Sequence, residues 1–134
     1  MTNKTLSFAD LNLVKKSEVG CEFEYLRGGS KPSGIFLTVV GRESERSKEW
    51  SRKSLNRIRQ TEAILKKKGK DSVRDIEDDE LFSNEMAAVR IIGWRGISEE
   101  YTPELALELV KINSEIKEQV LEFSDDLGNF TKSK

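Results

Sequence analysis

Few of the 134 residues have types and spacing that could do chemistry. Cys21 is the sole cysteine and histidine is absent, which removes the commonest general base near neutral pH and the usual partner of a serine or cysteine nucleophile. Cys21 stands among alternating apolar and acidic residues with no base beside it, so it reads as a buried structural thiol. The acidic run Asp75, Glu77, Asp78, Asp79 and Glu80 could face a divalent cation, but it lacks the glycine and the ligand spacing of a calcium loop. It fits a solvated acidic turn that opens a helix. The stretch GGSKPSG, residues 28–34, has neither phosphate-cradle spacing and suits a hairpin loop. These residues imply no enzyme, no metal and no cofactor.

Binding is the chemistry that remains. Residues 42–70 hold eleven cations against four anions, net +7, and residues 71–104 hold three against ten, net −7. That contrast permits either internal neutralisation or head-to-tail attraction between copies. Clustered Lys and Arg also suffice for phosphate contacts, so a small nucleic-acid-binding protein using the basic helix 42–70 is the alternative function. Glu43, Glu45, Glu49 and Glu62 interrupt the field, however, and Trp50 is its only aromatic, so no stacking series exists. A solvated face or an acidic protein partner fits better.

Trp50 lies near Arg46 and Arg52, and Trp94 adjoins Arg95, pairings enriched at the centres of protein interfaces. On its polar helix Trp50 reads as an interface residue. Trp94, within IIGWRGI, reads first as core and second as interface, and Phe130 is the one apolar group of the closing NFTKSK. Trp50, Trp94 and Phe130 are therefore the candidate partner-binding aromatics.

These side chains need elements to position them. Ser7 with Asp10 resembles a capping box while Leu11 and Leu13 alternate as in a strand, so residues 6–16 stay open between the two. Cys21, Phe23 and Tyr25 alternate with Glu22 and Glu24, the period of a half-buried strand. Ile35 to Val40 is apolar on both faces, which predicts a second strand covered on both sides by helices. Residues 42–70 lack proline, have one late glycine, Gly69, and predict a mostly solvated helix of about seven turns. The polar link of residues 70–80 leads to LFSNEMAAVRIIGW, residues 81–94, expected as the central core helix. Thr102 before Pro103 starts another helix, whose stripe of Leu105, Leu109, Ile112, Ile116, Val120, Phe123 and Leu127 can break at Asn113-Ser114. Gly128 ends that pattern.

The expected fold class is α+β and mainly helical: an N-terminal β-hairpin followed by three or four helices. One domain is expected over 1–134, with a hairpin region at 1–41 and a helical region at 42–134. The start, MTNKTLSFADLNLVKK, lacks the apolar core of a signal peptide, and no run approaches the roughly 18 apolar residues of a membrane span. A soluble protein of a reducing cytoplasm is the expectation.

With the segments placed, the order of motifs resembles the tail assembly chaperones of long-tailed, siphovirus-type bacteriophages. The resemblance spans most of the chain and rests on GIFLTVVGRESER (34–46), IIGWRGI (91–97), YTPELALELVKINSEIKEQV (101–120) and GNF (128–130). It implies a protein that binds the tape measure protein, keeps it soluble while tail tube protein polymerises around it, and is absent from the mature virion. It also implies self-association into a ring or spiral, for which Arg46, Arg52 and Arg57 against Asp78 and Asp79 are the candidate residues, and a site of action in the cytoplasm of the infected or lysogenic bacterial host.

Overall fold

The computed structural model describes residues 5–69 and 76–131. Its order is α1 (Leu13–Glu18), β1 (Cys21–Arg27), β2 (Lys31–Val39), α2 (Glu45–Lys67), α3 (Ile76–Arg90), β3 (Ile91–Arg95), α4 (Pro103–Ile112), α5 (Ser114–Asp125) and α6 (Gly128–Thr131). The expected class holds: an N-terminal antiparallel hairpin is followed by helices in an α+β arrangement.

β1 and β2 pair antiparallel, with Cys21 opposite Val39 and Phe23 opposite Leu37. The turn is shorter than GGSKPSG suggested: only residues 28–30 leave the ladder, where Gly28 and Gly29 take positive φ, and Lys31 to Gly34 extend β2. The register slips between Glu24 and Leu26, a bulge on an edge strand. Gln119 of α5 repairs it, because its amide accepts from Leu26 N at 3.0 Å and donates to Leu26 O at 2.7 Å. A side chain thus stands in for a missing strand partner.

The segment expected as one core helix through Trp94 is two elements. α3 stops at Arg90, and Ile91–Arg95 pairs antiparallel with β2, placing Trp94 opposite Leu37 and Gly93 opposite Thr38. The physical reason lies in IIGW: β-branched Ile91 and Ile92 favour a pleated surface and Gly93 is a poor helix residue. The sheet order is therefore β1-β2-β3, with β2 central.

One sheet face carries Cys21, Phe23, Leu37, Val39, Ile91 and Trp94, and packs on the helices. Leu37, Val39, Ile91, Ala87, Ala106, Val110, Ile116 and Val120 are buried there. The opposite face was expected to be covered by helices, yet much of its cover is side chains. Glu24, Phe36 and Arg95 lie in register, the Arg95 guanidinium sits 3.8 Å from the Phe36 ring centroid, and it donates to Glu22 at 2.9 and 3.0 Å. That pairing holds the Glu22 carboxyl below its usual range.

Helix ends follow their capping chemistry. Ser44 Oγ accepts from Ser47 N, Thr102 Oγ1 from Leu105 N and Asn113 Oδ1 from Ile116 N. Gly69, at φ 71°, follows the end of α2. Asn113, extended at φ −137°, both closes α4 and caps α5, which explains the break in the stripe. Residues 6–16 resolve as a turn plus α1, capped by Asn12, and Gly128 opens the short α6 instead of ending the helices. Among the described residues no helix is long and apolar enough to cross a membrane.

Candidate functional site

α2 and α3 run antiparallel, as their contacts require: Ser47 meets Arg90, Arg57 meets Glu85, and Leu65 approaches Asp78. The first half of α2 joins the end of α3 tightly. Ser47 and Ser54 are buried, Arg90 Nε donates to Ser47 Oγ at 3.3 Å, and Arg46 Nε donates to the Val89 carbonyl. Small serines allow close approach where a leucine would hold the helices apart, so the thin apolar stripe of α2 does not prevent packing.

Further along, a groove of about 320 Å³ lies between the two helices. Ile58, Leu65, Leu81 and Phe82 supply its apolar wall, and Arg57, Asp78 and Glu85 its charged rim. Arg57 pairs with Glu85 at 3.3 Å, one cross-link between the +7 and −7 segments. Leu81 is 44 % exposed, so an apolar group of this cleft meets water. An apolar floor with a salt-bridged rim fits an amphipathic helix of a partner, with apolar anchors on the floor and charged flanks outside.

The candidate residues fall at separate places. Trp50 is half-buried, its ring 4.9 Å from Phe82, so it backs the α2–α3 groove through a lining residue. Arg57 and Asp78 line the groove, Asp79 is exposed near the start of α3, and Arg52 pairs on its own helix with Glu45 at 3.5 Å. Arg46 turns instead toward Val89 and Tyr101. Trp94 stands across the sheet, edge-on to Tyr101 at 5.2 Å, with its indole N–H donating to the Glu99 carbonyl at 2.8 Å. Phe130 closes an aromatic row, 6.0 Å from Phe123, which stacks on Phe23 at 4.7 Å.

Cys21 is half-buried, with Sγ donating to the Asn129 carbonyl at 3.5 Å. Asp78, Asp79 and Glu80 are exposed near the start of α3, where the helix dipole favours them. Asp75 and Lys70 lie outside the described residues, and among those described no group of carboxylates, cysteines or histidines could hold a metal ion.

Sequence reasoning did not find the groove itself. Its wall comes from Ile58 and Leu65 on one helix and Leu81 and Phe82 on another; the pairing of two stripes about 20 residues apart was not readable from either stripe. A second hollow, of about 230 Å³, opens at the β3 edge among Trp94, Ile97, Leu105, Leu109 and Ile112. No protein-family model, no curated protein and no solved structure matches the chain.

Proposed function

We propose that the chain is a tail assembly chaperone of a long-tailed bacteriophage, acting by binding and not by catalysis. In this reading it holds the tape measure protein in soluble form in the host cytoplasm while tail tube protein polymerises, associates with further copies of itself, and is absent from the mature virion. The observation that carries it is the open α2–α3 groove, whose apolar wall and charged rim suit a long chain of amphipathic helices. The order of motifs along the sequence supports the same reading. A test is co-purification of the tape measure protein from the same genome, compared with a Leu81→Asp variant. Complex formation that survives nuclease and is lost on placing a charge on the groove wall supports the proposal, and equal recovery with the variant removes the groove from it.

One observation favours a second reading. Arg59, Lys66 and Lys67 are exposed on α2 and make no ion pair among the described residues, leaving cations available to phosphates. A nucleic-acid-binding protein would bind DNA with an affinity that falls steeply with salt, and lack of binding at low salt ends this alternative.

A further inference from the structure

The segment before α1 presents an apolar knob to water. Leu6, Phe8 and Leu11 are exposed, Phe8 by 94 %. Yet the knob is held in place. Ser7 N donates to Asp10 Oδ2 at 3.0 Å, Asp10 N donates to Ser7 Oγ at 3.4 Å, and Lys16 Nζ donates to the Asp10 carbonyl. Behind it α1 is anchored, because Ser17 is buried and its carbonyl accepts from Gly41 N at 2.8 Å. A hydrogen-bonded turn that keeps a phenylalanine in water has the form of a docking element.

The hollow beside Trp94 is its physical complement. At about 230 Å³ it falls below the roughly 300 Å³ at which small-molecule pockets begin, so it is sized for one or two side chains. Its walls are Trp94, Ile97, Leu105, Leu109 and Ile112, and Ile112 is 77 % exposed. Glu99 and Glu108 are the charged residues among those lining the hollow, whereas Lys15 and Lys16 follow the knob. The knob leads into β1 and the hollow adjoins β3, the two opposite edges of the sheet. Both stand open in the same chain, so the arm does not fill its own hollow.

We propose that residues 6–11 of one copy seat Phe8 in the Trp94 hollow of a second copy, with the lysines beside the glutamate rim. The contact is heterologous, so it repeats head to tail into a ring or an open helix. It supplies surfaces for the self-association in the proposed function and rests on that part of the reading; tape measure binding, assigned to the α2–α3 groove, does not enter it.

The test uses the full chain in sedimentation velocity over a range of concentrations. Phe8→Asp and Ile112→Asp each alter an exposed side chain, and circular dichroism checks that both variants keep the fold. The expected result is an assembling parent and two variants that associate about tenfold more weakly or worse. Mixing the variants in equal amounts then gives a heterodimer, because Phe8→Asp retains the hollow and Ile112→Asp retains the knob. A parent that stays monomeric throughout overturns self-association and this contact together, while leaving tape measure binding standing. Assembly unaffected by either variant, or impaired variants that fail to pair on mixing, overturns the contact alone.

Discussion

Arg90 ties α2, α3 and α5 to the residue that follows β2 through one side chain and its own backbone, and its ion pair gives an asymmetric prediction. The side chain is 7 % exposed; Nη1 donates to Asp125 Oδ1 at 2.7 Å, Nε donates to Ser47 Oγ, and the Arg90 carbonyl accepts from Val40 N at 2.8 Å. Asp125 is 51 % exposed. In Arg90→Met most of the buried stem is retained and the released carboxylate rehydrates, so the cost is one charge-assisted hydrogen bond and one weaker one, about 2–3 kcal/mol. In Asp125→Ala a guanidinium is left buried without its anion, which costs about 3–5 kcal/mol. The more exposed partner is therefore the more damaging to remove, because it leaves the buried charge behind. The double variant should lose little more than Arg90→Met alone. Urea unfolding followed by circular dichroism measures all three. A smaller loss for Asp125→Ala than for Arg90→Met would show that the buried guanidinium does not depend on its anion.

Other consequences are equally direct. Gly96 has φ 87°, and a Cβ there would lie 2.2 Å from the Gly34 carbonyl oxygen, so Gly96→Ala should cost more than the roughly 1–2 kcal/mol of left-handed backbone strain alone, read as a lowered urea midpoint. Thr102→Ala removes the acceptor for Leu105 N at 3.1 Å and should cost about 1 kcal/mol in the same assay, with a smaller loss for Thr102→Ser. Asp10 should titrate below the ordinary aspartate range, because the backbone hydrogen bond from Ser7, then its hydroxyl, favours the charged form. With a folded pKa below the unfolded one, the carboxylate steadies the knob above the unfolded pKa, and that contribution is lost as pH falls through the lowered value. An NMR titration of Asp10 reads the midpoint; a value at or above that of an unstructured peptide contradicts the capped turn.

Local chemistry was legible at several segments that contained their own cause. The alternation of Cys21, Phe23 and Tyr25 marked β1, and Thr102-Pro103 marked the start of α4. Asn113 could be read as a break because its side chain caps α5. β3 was not legible. A short run such as IIGW after a helical pattern has no periodicity to separate strand from helix, and its identity is decided by pairing with β2, some 55 residues earlier. The polar core was equally hidden: nothing in the spacing of Ser17, Ser44, Ser47 and Ser124 announces burial, which depends on partners such as the Val40 carbonyl that Ser124 Oγ meets at 2.7 Å. The aromatics were recognisable as a type but not as a place, since Trp50, Trp94 and Phe130 end in three different neighbourhoods.

We propose that this chain keeps a tape measure protein soluble. The most direct measurement is the fraction of the tape measure protein from the same genome that stays in the soluble phase, expressed alone and together with this chain. The expected result is a largely insoluble tape measure protein alone and a soluble complex on co-expression that withstands nuclease and moderate salt. A tape measure protein that stays insoluble while this chain purifies by itself contradicts it.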